Sequence, residues 1–109
     1  MATDSLSLTF SALADPTRRG ILARLARGEA TVSELAEPFS ISLPAISRHL
    51  KVLEQAGLIT RRRVAQSRPT SLRVEALREA DDWMETQFEI WDGRVNRLDA
   101  LLKATRRGA

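Results

Sequence analysis

The stretch Thr31-Val32-Ser33-Glu34-Leu35-Ala36-Glu37-Pro38-Phe39-Ser40-Ile41-Ser42-Leu43-Pro44-Ala45-Ile46-Ser47-Arg48-His49-Leu50-Lys51-Val52-Leu53-Glu54-Gln55-Ala56-Gly57 decides the fold. Thr31 and Glu34 have the spacing of a capping box, in which each side chain satisfies the other's unpaired amide. The helix they open is short and should end near Pro38. A second cap follows at Ser42, with Pro44 inside the first turn. From Leu43 to Ala56 the apolar residues Ile46, Leu50 and Leu53 recur at i, i+4 and i+7, which lines them along one face. Gly57 stops the helix. Two short helices joined by a turn of about three or four residues make a helix-turn-helix, here over residues 31–56.

The flanks extend this unit. Asp4 is placed to cap a helix over 5–13 that carries Leu6, Phe10 and Leu13 on one face. Asp15-Pro16 restarts the chain, Asp as N-cap and Pro where a missing N–H costs nothing, and the helix it opens should reach Gly28. Gly20 inside it costs about 1 kcal/mol relative to Ala, a sign of close packing there. Arg18, Arg19, Arg24 and Arg27 are expected to face mostly outward.

After Gly57 the pattern changes to β-branched residues at 58–64 and 70–74 around the turn Ala65-Gln66-Ser67-Arg68-Pro69, a β-hairpin. A hairpin placed there is a wing, over 58–74. A long helix over 77–104 then carries Leu77, Ala80, Met84, Phe88, Trp91, Val95, Leu98 and Leu102 in steps of three and four, widened by Trp83, Ile90 and Leu101. About 28 residues span about 42 Å, more than a small globule needs for its own core. The surplus is expected to pack on a second copy of the chain rather than only on the first helix. The fold class expected is mostly α with a small β-hairpin: one winged helix-turn-helix domain over 1–109 with a long C-terminal dimerisation helix.

Composition narrows the chemistry. The chain has 109 residues, 43% hydrophobic and 28% charged, enough for one soluble domain. Its apolar runs are too short to cross a bilayer, and acidic Asp4 stands where a secretory signal would be basic, so the expected location is the cytoplasm. The absence of cysteine excludes disulfides and thiolate metal ligands. Net charge is only +3, but Ser42 to Arg73 holds seven Lys/Arg against one acid, whereas Glu75 to Lys103 holds eight acids against four bases. A polyanion would be drawn to the first segment.

Double-stranded DNA fits this arrangement. The major groove admits one helix, and a helix-turn-helix presents the leading end of its second helix to the base edges. Ser42, Leu43, Pro44, Ser47, Arg48 and Lys51 lie opposite the apolar stripe or at its leading end. Leu43 and Pro44 offer apolar contact, Ser47 a hydrogen bond, and Arg48 a fork for guanine or phosphate. Lys51 is expected on backbone phosphate. His49, the only histidine, is expected to bond phosphate or backbone rather than a metal. In the wing, Arg61 and Arg63 share one face and Arg62 takes the other, with Arg68 at the tip. Such arginines reach phosphate or minor groove. Asp81, Asp82 and Glu85 read as solvated helix charges. No phosphate loop, catalytic triad or dinucleotide fingerprint occurs, so neither an enzyme nor a cofactor is expected.

The runs Ala12-Leu13-Ala14-Asp15-Pro16-Thr17-Arg18-Arg19, Val32-Ser33-Glu34-Leu35-Ala36 and Ser47-Arg48-His49-Leu50-Lys51-Val52-Leu53-Glu54-Gln55-Ala56-Gly57-Leu58-Ile59 resemble the ArsR/SmtB family of bacterial repressors. The resemblance implies a homodimeric winged helix-turn-helix that binds an operator and is usually released by an inducer. It implies groove contacts from Ser42 to Lys51. It also implies a dimer interface of Leu6, Phe10 and Leu13 with Trp83, Met84, Phe88, Trp91, Val95, Leu98 and Leu102. Metal-sensing members carry Cys-x-Cys in the first helix of the motif, where this chain has Ser33-Glu34-Leu35-Ala36-Glu37, and zinc-sensing members carry histidine in the last helix, where this chain has none. The final segment, Arg78-Glu79-Ala80-Asp81-Asp82-Trp83 followed by Trp91 and Arg97-Leu98-Asp99, is similar to a metal-free subgroup of plain or autoregulatory repressors. Two alternatives stay open at this point: a winged helix used only for protein association, and a sensor whose non-metal inducer sits between the long helices near Trp83 and Trp91.

Overall fold

The computed structural model describes residues 4–62 and 69–108. Its elements run α1 (Ser5–Leu13), α2 (Pro16–Leu25), α3 (Val32–Ala36), α4 (Leu43–Gln55), β1 (Ile59–Arg61), β2 (Thr70–Leu72) and α5 (Glu75–Gly108). The caps read from sequence are in place. Asp4 and Asp15 accept from the amides of Ser7 and Arg18 at 2.8 and 3.0 Å. Thr31 and Glu34 form both halves of the capping box, and Ser42 Oγ accepts from the Ala45 amide at 3.3 Å. Each bond satisfies a donor that the first turn of a helix leaves without a partner.

Three boundaries depart from expectation. Helix α2 ends at Leu25 rather than reaching Gly28, because Arg27 and Gly28 donate to carbonyls only three residues back, tightening the exit. Gly28 then takes φ +139°, which side-chain-bearing residues rarely adopt. The strands are three residues each, Ile59 opposite Leu72 and Arg61 opposite Thr70, shorter than 58–64 and 70–74. Ala30 adds an antiparallel bridge to Thr70, donating at 3.1 Å and accepting at 2.8 Å, so the loop after α2 is bound to the wing's root. Helix α5 begins at Glu75 and runs to Gly108, longer at both ends than 77–104.

The core lies between α2, α3, α4 and the hairpin. Ile21, Leu35, Ile46, Leu50, Leu53, Leu58 and Ile59 are fully buried in it. Gly20 marks a close approach, as the sequence suggested: a Cβ there would meet Phe39 Cζ at 2.9 Å. On α1 the buried residues are Thr9 and Ala12, while Leu6, Phe10 and Leu13 are half-buried. Helix α5 joins the globule only at its start. Ala80 is buried, Trp83 meets Phe10 edge-on at 5.9 Å, and Ser5 Oγ donates to Glu79 Oε1 at 3.2 Å. From Glu85 to Arg106 every residue except Gly93 is exposed. Among the described residues no helix is long and apolar enough to cross a membrane.

Candidate nucleic-acid interface

Burial of one face of α4 fixes what the other face presents. Ile46, Leu50 and Leu53 anchor the helix against the core, and Arg48 and Lys51 are consequently exposed. Ser42 and Pro44 are exposed at its leading end, and Leu43 keeps 51% of its surface there. Ser47 is half-buried on the flank. Gln55 also stands exposed on the outward side, further along than the residues singled out from sequence.

His49 sits differently from its neighbours. It is half-buried, and its Nδ1 lies 3.4 Å from Arg18 Nη1 and 3.9 Å from Asp15 Oδ2. The ring edge bearing Nδ1 is therefore engaged with the junction of α1 and α2. Asp15 is held below the usual carboxylate range chiefly by the Arg18 amide, with the His49 and Arg18 charges adding to it.

Arg18 turns back onto the protein and is half-buried, while Arg19 is exposed as expected and still reaches back to α1. Arg18 donates from Nε to the Ala12 carbonyl at 2.7 Å and from Nη2 to Ser11 at 3.1 Å; Arg19 donates to the Leu13 carbonyl at 2.7 Å. Both guanidinium groups close the C-terminal end of α1, where carbonyls lack helical partners. The order Leu13-Ala14-Asp15-Pro16-Thr17-Arg18-Arg19 already held that signal: cations one turn past a helix end.

The hairpin rises beside α4. Arg61 is half-buried, and its Nε is buried without a hydrogen-bond partner among the described residues. Arg62 is exposed, and its Nη2 donates to both carboxylate oxygens of Glu29 at 3.1 and 2.9 Å. Ser71 Oγ donates to the same carboxylate at 3.2 Å. An exposed pair of this kind is worth about 0–1 kcal/mol. Glu29 was not singled out from sequence, since a contact across 33 positions leaves no local pattern. Arg63 and Arg68 lie outside the described residues.

A second surface runs along α5. Phe88 and Trp91 are 63% exposed, and Trp83, Val95, Leu98 and Leu102 are exposed with them, while Met84 is half-buried. Gln87, Phe88, Ile90, Trp91 and Arg94 line an outward-opening groove of about 540 Å³. The carboxylates of Asp81, Asp82 and Glu85 come within 4.8 Å of one another, all exposed.

Comparison with known proteins agrees with this geometry. A family model described as a helix-turn-helix domain matches residues 13–62. The transcriptional repressor SdpR of Bacillus subtilis is 44% identical over 75 residues, covering 69% of this chain and 83% of that protein. The crystal structure of an ArsR family transcriptional regulator superposes with TM-score 0.78 at 42% identity, over 82% of this chain and 98% of that one. The solution structure of a homodimeric winged helix-turn-helix DNA-binding domain from Mycobacterium bovis gives TM-score 0.61 at 25% identity, over 84% and 82%.

Proposed function

The chain belongs to the ArsR family of transcriptional regulators, and from that premise we propose that it is a homodimeric repressor, a single DNA-binding domain per protomer, acting in the cytoplasm on an inverted-repeat operator. The observation that carries the reading is the division of α4. One face is locked into the core at Ile46, Leu50 and Leu53, the opposite face offers Pro44, Arg48 and Lys51 beside the basic hairpin, and Leu43 stands exposed at the leading end. Apolar and basic groups together at the leading end of such a helix suit a major groove, where thymine methyls, guanine edges and phosphates are all within reach. In this reading Leu43, Pro44, Ser47 and Arg48 meet bases, Lys51 and the wing's Arg61, Arg62, Arg63 and Arg68 meet phosphate or minor groove, and His49 braces the helix from behind.

The second copy covers α5. Its apolar stripe continues well past the part that meets α1, and its charges segregate. Glu75 to Asp92 holds seven acids and one base, and Arg94 to Arg106 holds four bases and one acid, with the reversal at Gly93. Two such helices paired head to tail set each acidic half beside the partner's basic half; paired in parallel they would oppose like charges. The half-buried Leu6, Phe10 and Leu13 lie along the α1 side of that seam, and Leu13 also packs on the core. A two-fold dimer then presents its two α4 helices to half-sites centred about 34 Å apart.

A metal does not fit the first helix of the motif. Its Ser33, Glu34 and Leu35 supply no thiolate, and Leu35 is fully buried in the core. Selection of a binding site from random duplexes, followed by gel shift at several salt concentrations, tests the function. Specific affinity should exceed random-DNA affinity by about 10³-fold or more and fall steeply with salt. A chain with neither property is a protein-association module.

A further inference from the structure

Glu29 places a negative charge at the root of a wing that, in the proposed function, approaches a polyanion. Its position is not accidental to the fold. Gly28, with φ +139°, turns the chain out of α2, and Ala30 is bound on both sides to Thr70. The residue between them is thereby held against the hairpin, where its carboxylate takes Arg62 Nη2 at 2.9 and 3.1 Å and Ser71 Oγ at 3.2 Å. Arg62 is fixed at its other end as well, since its amide donates to the Pro69 carbonyl at 3.0 Å.

From these contacts, and resting on the DNA-binding reading above, we infer that Glu29 is a specificity-determining residue that withholds the Arg62 charge from DNA of arbitrary sequence. Opposite charges this close look neutral beyond a Debye length of about 8–10 Å. Random-sequence binding consists almost wholly of such longer-range attraction and counterion release, so the pair removes one cation from it. At a selected site the base contacts of α4 hold the wing in register against the backbone. A phosphate then comes close enough to compete with the carboxylate for the guanidinium, and the exposed pair gives way at little cost. The acid therefore lowers random-DNA affinity more than operator affinity.

The experiment compares the unmodified chain, Glu29→Gln, Arg62→Ala and the double variant on one selected duplex and one random duplex of equal length, across a salt series. Glutamine keeps the shape and one acceptor oxygen for Arg62 or Ser71 while removing the charge. Glu29→Gln is expected to tighten random-DNA binding about 3- to 10-fold at low salt and to deepen its log–log salt slope by about 0.9. Operator affinity should rise less, so the ratio of the two falls. In the Arg62→Ala background the same change still relieves repulsion between the bare acid and DNA, but it should leave the salt slope unchanged, because no guanidinium remains to neutralise a phosphate. An unchanged ratio, or an equal slope change with and without Arg62, overturns the inference and leaves Glu29 an ordinary surface charge. Absence of salt-dependent DNA binding by the unmodified chain is a separate outcome, which brings down the DNA-binding reading and this assignment with it.

Discussion

Phe10 on α1 and Trp83 on α5 meet edge to face, ring centres 5.9 Å apart with planes inclined by 70°, at the point where the long helix leaves the globule. Aromatic pairs in this geometry contribute about 0.5–1.5 kcal/mol beyond their buried area. A double-mutant cycle of Phe10→Leu and Trp83→Leu, read by chemical denaturation, should return a coupling energy in that range. Simple additivity would mean that the rings only share a boundary.

The charge reversal at Gly93 makes the orientation of paired α5 helices measurable, and the cysteine-free sequence makes it convenient. Met84 and Leu102 lie equally far from Gly93 on the apolar stripe. Met84→Cys and Leu102→Cys chains should form a disulfide when mixed and oxidised, and neither should cross-link efficiently to itself. Self-linked Met84→Cys dimers in high yield would indicate a parallel pair. Cross-linking follows geometry closely, since a disulfide needs Cα atoms within about 7 Å.

Acid should weaken the fold in a defined direction. Asp4, Asp15 and Glu34 are each held below the ordinary carboxylate range, mainly by backbone amides of the turns they cap: Ser7 for Asp4, Arg18 for Asp15 and Thr31 for Glu34. A carboxylate depressed in the folded state stabilises it above the unfolded pKa, and that contribution disappears as pH falls through the folded value. Denaturation midpoints should therefore stay level through neutral pH as far as these groups are concerned and decline below about pH 4. Asp15→Asn should flatten part of the decline; an unaltered acid limb would show that Asp15 does not contribute to it.

The buried stripe and the exposed leading end of α4 should respond oppositely to truncation. Leu50 is fully buried, so Leu50→Ala should cost about 2–5 kcal/mol of folding stability. Leu43 is 51% exposed, and Leu43→Ala should leave the denaturation midpoint nearly unchanged while weakening binding to a selected duplex. A large stability loss from Leu43→Ala would mean that this side chain is structural.

The architecture was legible wherever one residue type answers one local demand. Asp15, Thr31 and Ser42 marked helix starts because unpaired amides need a nearby acceptor, and the spacing of Ile46, Leu50 and Leu53 marked the buried face because a helix repeats every 3.6 residues. Strand lengths were harder, since β-branched residues show extended tendency but not where a ladder stops. Helix α2 was read too long because its last turn tightens before Gly28 is reached. What the sequence hid were contacts between distant positions. Arg62 reaching Glu29, and His49 turning to Asp15 and Arg18, depend on how the elements pack. On the DNA-facing side this matters most, because a cation's identity is plain in sequence while its partner is not.

The most direct test compares Arg48→Ala and Ser47→Ala with the unmodified protein on a selected duplex and on random DNA. Contacts from the outward face of α4 to base edges predict a loss of about 1–3 kcal/mol on the selected duplex and a much smaller loss on random DNA. Equal losses on both duplexes, or none on either, would contradict the claim that this face reads sequence.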